Sequence, residues 1–266
     1  MPLKPLIVPF GYRLKEQYRN GLVGHWKMNV GGVLIPDLSD SNPKNNGTRT
    51  NYNWTATSGW AGQGDILDGV NDYVDAGDPS SIDGLSSITV SAWFKPITAS
   101  GNKVVIAKWG SVGGYQFVLA YSNDSNYKMS FGVRTGSTGL NGSTQIVTSV
   151  TVVNNTTKWY HLVGVYNGST TKIYIDGVED NSAVGSGAIN SAVSSNIIIG
   201  AYSPIINAWI NGLIDDVRIF NRALSADEVA HSCFQQEDEW DLGLDDDIDV
   251  MQGIPQKMNA YRQMRA

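Results

Sequence analysis

Asn211 to Val229 reads N-G-L-I-D-D-V-R-I-F-N-R-A-L-S-A-D-E-V, and the fold turns on this stretch. Asn211-Gly212 is a tight-turn dipeptide. After it, Leu213, Asp215, Val217 and Ile219 alternate with Ile214, Asp216, Arg218 and Phe220, which is strand spacing. Two adjacent carboxylates break the apolar run. Successive strand side chains point to opposite faces, so only one of Asp215 and Asp216 is expected to face inward. An inward carboxylate needs a cation or several hydrogen-bond donors. Ser225-x-x-Glu228 then reads as a capping box that opens a short helix.

Working outward, the rest of the chain repeats the strand-and-turn pattern. Ile88, Val90, Ala92 and Phe94 form one strand face, with Trp93 on the other. Lys103–Lys108 is an apolar strand before a glycine-rich turn. Tyr115–Tyr121 and Tyr127–Val133 read as paired strands around a polar loop. Turns are marked by Asp68-Gly69, Asn167-Gly168 and Asp176-Gly177. A dozen short strands with no competing helix-period segment predict a two-sheet sandwich. Twenty-nine glycines, 10% aromatic residues and only 17% charged residues agree with that.

The ordered set of motifs resembles the laminin-G-like jelly rolls of the concanavalin A-like lectin/glucanase superfamily. The matching pieces are Gly21-Leu22-Val23-Gly24-His25-Trp26, the loop Asp37-Leu38-Ser39 to Asn45-Asn46-Gly47-Thr48, Leu67-Asp68-Gly69-Val70-Asn71-Asp72-Tyr73-Val74 and Ile88–Pro96. They continue through Trp159-Tyr160-His161 to Tyr166, Tyr174-Ile175-Asp176-Gly177, Ile197–Gly200, and the final strand and helix. The loop departs from the family's pattern by lacking its Ser-Gly step and carrying Pro43 and Lys44. The resemblance implies an all-β, two-sheet antiparallel jelly-roll sandwich over 21–232. A basic arm (1–20) precedes it and an acidic tail (233–266), with a short helix possible after Pro255, follows.

Several chemistries find no support. Retaining glucanases of this fold use E-x-D-x-x-E, with two carboxyl groups about 5 Å apart. The five glutamates, Glu16, Glu179, Glu228, Glu237 and Glu239, make no such pattern. The three histidines, His25, His161 and His231, accompany no nucleophile elbow, and His161 reads as a packed strand histidine. Trp93 and Trp159 read as core. One cysteine, Cys233, excludes an intrachain disulfide and reads as a buried or incidental thiol. A net charge of −6 gives no support to nucleic-acid binding. Pro2, Pro5 and Pro9 break any signal-peptide core, and no apolar run is long enough to span a membrane.

Oxygen ligands suit Ca²⁺. The resemblance implies a structural calcium held by Asp215 with Asp37, Asn46 or the Gly47 carbonyl; the alternative is that Asp215 accepts N–H bonds from that loop without metal. Sugar binding needs aromatic platforms beside polar groups. Tyr52, Trp54, Trp60, Trp109, Tyr202 and Trp209 are the candidates, with packing or protein contact as the alternative for each.

The ends differ in charge. Residues 1–20 hold four cations against one acid, and residues 233–266 hold eight acids against three cations. Leu6, Ile7, Val8 and Phe10 make an extended apolar strip, and Phe234, Trp240, Leu242, Leu244 and Ile248 space hydrophobes through the acidic tail. Such arms suit docking to further copies or to another structural protein. The expectation is a non-catalytic structural subunit at a virion surface, a phage capsid decoration or fibre-associated protein. The alternative is a calcium-dependent carbohydrate-binding adhesion module, extracellular or at a cell surface.

Overall fold

The computed structural model describes residues 18–52, 57–98, 103–110, 114–121, 126–136, 143–190, 195–202 and 208–234. Leu6, Ile7, Val8, Phe10, Trp54, Trp240, Leu242, Leu244 and Ile248 lie outside them.

Two eight-stranded antiparallel sheets face one another. The first holds β1 (Leu22–Trp26), β4 (Thr57–Ser58), β5 (Gln63–Asp68), β7 (Ile88–Pro96), β12 (Tyr160–Tyr166), β13 (Thr170–Ile175), β14 (Val178–Val184) and β16 (Asn211–Phe220). Its order is β14-β13-β12-β7-β16-β5-β4, with β1 also paired to β16. The second holds β2 (Leu34–Ile35), β3 (Gly47–Thr50), β6 (Tyr73–Asp75), β8 (Val104–Gly110), β9 (Gly114–Tyr121), β10 (Lys128–Thr135), β11 (Ser143–Val152) and β15 (Ile197–Ile199). Its order is β11-β10-β9-β8-β15-β6-β3-β2. Helix α1 (Ala226–Phe234) follows β16. Among the described residues no helix is long and apolar enough to cross a membrane.

The core lies between the sheets. Trp26, Val90, Ala92, Phe94, Leu162, Ile214, Val217 and Ile219 meet Ile106, Phe117, Leu119, Phe131 and Val133 there. These are the inward members of alternating strands, so burying one face of each sheet drives the assembly. Close approach needs glycine at Gly164 in β12. A Cβ built there would stand 2.1 Å from the Phe131 ring of the opposite sheet. Arg49 is buried in β3 and its Nε lies 2.9 Å from Asp65 of β5, while Tyr52 donates to the same carboxylate at 2.8 Å. Tyr52 therefore closes a buried ion pair between the sheets rather than offering a platform to a sugar.

Local signals were realised unevenly. Asp176 and Gly177 both take positive φ, 53° and 77°, making the β13–β14 turn with the residues such a turn favours. Asn211-Gly212 makes no turn. Both residues sit in β16 opposite Asp68 and Leu67, and the Phe94 ring lies 2.5 Å from where a Gly212 Cβ would be. Leu22 and Trp26 face opposite ways, because a bulge at Val23 shifts the register on β16. Trp159 is half-buried rather than a core residue. The capping box forms: the Glu228 carboxylate accepts from Ser225 N at 2.8 Å, and Glu228 N donates to Ser225 Oγ at 3.2 Å. Arg222 pairs with that same carboxylate at 2.8 Å.

Two stability outcomes follow. Gly164→Ala forces the Phe131 ring or the sheet to move and should cost about 1–3 kcal/mol in chemical denaturation. Arg49→Met leaves Asp65 buried without its cation and should cost about 3–5 kcal/mol.

Candidate functional site

The paired acids of β16 sit at a bulge. Asp215 lies opposite Trp93 and Arg218 opposite Ser91, so Asp216 and Val217 share one position on β7. Asp216 has φ 48°. The extra residue breaks the expected alternation. Val217 turns into the core, and both carboxylates lie on the outer side of the first sheet, buried beneath a polar and aromatic layer.

Asp215 Oδ2 accepts from Trp60 N at 2.8 Å and Ala61 N at 3.0 Å, and its Oδ1 accepts from Asp216 N at 2.8 Å. Trp60 stacks on Trp93 with ring centroids 3.5 Å apart, and Trp93 tilts against His161 at 4.9 Å. Gly59 lets this hairpin close, since a Cβ there would stand 2.6 Å from Asp215 Oδ2. Asp216 Oδ1 lies 2.8 Å from His25 Nε2 and 2.9 Å from Arg218 Nε. Burial pushes Asp215 up to about 7, helped by the neighbouring Asp216 charge, against its three N–H donors. Burial also acts to raise Asp216, but Arg218 and His25 more than offset it and hold the carboxyl well below the usual range. His161 is pushed down to about 3 by burial and stays neutral. The layer clamps three segments together, and each acid is engaged by donors of the chain itself.

The calcium ligands expected from the resemblance do not fit an ion as arranged. Asp37 Oδ1 accepts from His25 N and Ser39 N, and its Oδ2 accepts from Ser41 Oγ and Asn45 N. Burial raises the Asp37 carboxyl, and these donors more than offset it. Asn46 Oδ1 is taken by Asp37 N, and Gly47 pairs with Ile35. Asp215 takes its donors from the 59–61 hairpin, not from this loop. Among the described residues no group of three or more His, Cys, Asp or Glu side chains could hold a metal.

The second sheet carries a different outer face. Bulges in β8 and β9 bring Trp109 opposite Tyr115 across the hairpin. Their ring centroids are 5.2 Å apart, and Tyr202 leans on Trp109 at 5.0 Å. Beneath them lie small or short side chains, Val104, Ala107, Val118, Ala120 and Ala208. The three rings are only partly buried. Tyr115 also interacts with Thr144 of β11 through its hydroxyl and feels the charge of Arg134 on β10. Burial raises the Tyr115 phenol. Trp209 is held alongside by a bridge to Val104, and its buried Nε1 has no hydrogen-bond partner among the described residues.

Of the aromatic residues singled out from the sequence, Trp109 and Tyr202 therefore meet, and Trp209 adjoins them. Trp60 lies on the other sheet, and Tyr52 lies in the ion pair described above. Tyr115 and Arg134 were missed. The signal for Tyr115 was its place across a glycine hairpin from Trp109. For Arg134 it was the one charged side chain in the run Met129–Thr135 of β10, which opens on Lys128.

Asp215 and Asp216 are shifted in opposite senses and so act oppositely on stability as pH changes. Asp215 is raised, so its contribution is full below about pH 4 and is lost as pH rises toward 7. Asp216 is lowered, so its contribution is present above the unfolded carboxylate range and is lost on acidification. The Asp215 contribution should thus decline between about pH 4 and 7 by up to a few kcal/mol, while buried neutral His161 contributes the opposite slope as pH rises to the ordinary imidazole range. Each tenfold difference in proton affinity between the folded and unfolded chain is worth about 1.4 kcal/mol. Asp215→Asn should flatten that limb, as read by denaturant titration at each pH.

A family profile described as the concanavalin A-like lectin/glucanases superfamily matches residues 68–230. No functionally curated protein matches the chain. Among solved structures it is similar to the binding domain of Paraclostridial Mosquitocidal Protein 1, with TM-score 0.63 and 18% identity over 82% of this chain and 52% of that one. It is similar to domain 4 of AbnA, an extracellular GH43 arabinanase from Geobacillus stearothermophilus, solved with arabinotriose. There the TM-score is 0.59 and the identity 19% over 80% of this chain and 98% of that one. It is also similar to the ligand-binding domain of botulinum neurotoxin serotype D, solved with N-acetylneuraminic acid (TM-score 0.57, 13% identity, 81% and 51% covered). The chain spans about half the length of these toxin domains, and identities this low establish the fold alone. The two toxin domains are binding domains by their descriptions, and the jelly-roll sandwich is common to all three and this protein. With well over half its length inside the matched profile, the chain belongs to the concanavalin A-like lectin/glucanases superfamily.

Proposed function

We propose that the protein is a non-catalytic, lectin-like module that binds saccharide on the outer face of its second sheet. The observation that carries this is the partly exposed set Trp109, Tyr115 and Tyr202, over a floor of small side chains. Sugar rings present flat C–H faces, and aromatic rings beside hydroxyl donors are the groups that hold them. The arabinotriose and N-acetylneuraminic acid in the similar structures support a carbohydrate ligand for this fold. The clamp around Asp215 and Asp216 supports the non-catalytic reading, since both acids are committed to structural hydrogen bonds.

A second reading concerns where the module sits. Tyr18 stacks on His231 of α1 with ring centroids 4.1 Å apart, and Arg222 Nε donates to Asn20 O at 2.6 Å. The oppositely charged chain ends therefore begin side by side. That placement supports a structural subunit of a surface assembly, such as a virion, that docks through both ends and displays the sandwich. Calcium has no part in either reading.

A glycan array with the full-length chain tests the first reading. Trp109→Ala should weaken the captured saccharide about tenfold or more, since one stacked ring contributes on the order of 1–2 kcal/mol. Trp60→Ala, on the other sheet, should leave affinity unchanged. Binding that survives Trp109→Ala and Tyr202→Ala rejects this face. Light scattering of the full chain at low and high salt tests the second: a defined oligomer is expected, and a monomer throughout rejects it.

A further inference from the structure

Arg134 lies on the outer side of β10, between the inward residues Val133 and Thr135, and pairs in register with Thr144 of β11. It is 9% exposed, yet its buried Nε has no hydrogen-bond partner among the described residues. A buried guanidinium N–H left without an acceptor is costly, and natural structures seldom leave one so. It is placed where its charge reaches the Tyr115 phenol, and Tyr115 in turn stacks on Trp109. Thr144, on the strand beyond, adds a hydroxyl to the same spot. A flat aromatic surface ends in a cation that presents paired donors, and the natural complement is a ring bearing a carboxylate.

We propose that this face selects carboxylated saccharides, with the sugar ring on Trp109 and Tyr115 and its carboxylate on Arg134. The proposal rests on the saccharide reading above and narrows it to an acidic ligand class. A charge-assisted contact of this kind separates acid from neutral analogue by about ten- to a hundredfold.

The test compares matched pairs on the full-length chain by calorimetry: sialyllactose against lactose, and an oligogalacturonide against its methyl ester. The expected result is at least tenfold preference for the acid in one pair, diminishing with added salt. Arg134→Gln should erase the preference, so that acid and neutral partners bind alike. Arg134→Lys, which keeps the charge but not the fork, should retain part of it. Equal affinity for acid and neutral partners in the wild type overturns the proposal and leaves the saccharide reading standing. No binding of any of the four overturns both. The wild-type comparison and its salt dependence decide the matter even where Arg134→Gln does not fold.

Discussion

The bulge in β16 is the constraint on which the rest of the sandwich depends. On one side β16 pairs throughout with β7. On the other, β5 takes Asn211–Ile214 and β1 takes Val217–Phe220. Two strands distant in sequence thus share one edge, and the junction between them falls at Asp215 and Asp216. A buried carboxylate at such a break is costly unless it collects donors. Asp215 collects them from the 59–61 hairpin and Asp216 from His25 and Arg218. The acids are therefore the joint that sets β1, β5 and the Trp60 hairpin in place.

That joint also divides the molecule into two outer faces with different roles. The outer face of the first sheet is sealed twice. Trp60 covers Trp93 over one part, and Val229 of α1, with Leu224, packs on Leu22, Val163, Val165, Tyr174 and Phe220 over another. Among the described residues, Tyr202 and Ala208 pack on the outer face of the second sheet, and its aromatic rings stay partly exposed. The face that the first sheet's own chain closes is thus not the one proposed for saccharide.

Much of this was legible in the residues, for reasons that are local. Alternation placed Val90, Ala92 and Phe94 inward and Trp93 outward, and Asp176-Gly177 and Ser225-x-x-Glu228 are motifs whose hydrogen bonds close within a few residues. What stayed hidden depends on contacts remote in sequence. Asn211-Gly212 has the composition of a turn, but the Phe94 ring and pairing with β5 hold it in a strand. The bulge at Asp216 leaves no mark in a period-two pattern, so one acid was expected inside and both lie outside. The expected calcium set followed a family loop whose Asp37 is here saturated by its own neighbours. For the aromatic candidates, composition could nominate Tyr52 and Trp60 as readily as Trp109, because only strand register tells which ring meets which. Ten-residue β11 directly follows the turn dipeptide Asn141-Gly142, but its Ser- and Thr-rich sequence alternates weakly, and with it Thr144, the partner of Arg134, went unread.

The neighbouring chain ends have a mechanical consequence. Leu22 opens β1 and Phe220 closes β16, and the two are paired antiparallel. Tension applied between the two ends would load these ladder bonds one after another, as in opening a zip, rather than all together in shear. The Tyr18–His231 stack, the Arg222–Asn20 bond and the Asn221 N to Gly21 O bond at 2.8 Å stand at the entry to that ladder. They form a latch in front of the weakest direction of the sandwich. A module held by one end and pulled through its second sheet would not feel that weakness; one strung by both ends would yield there first.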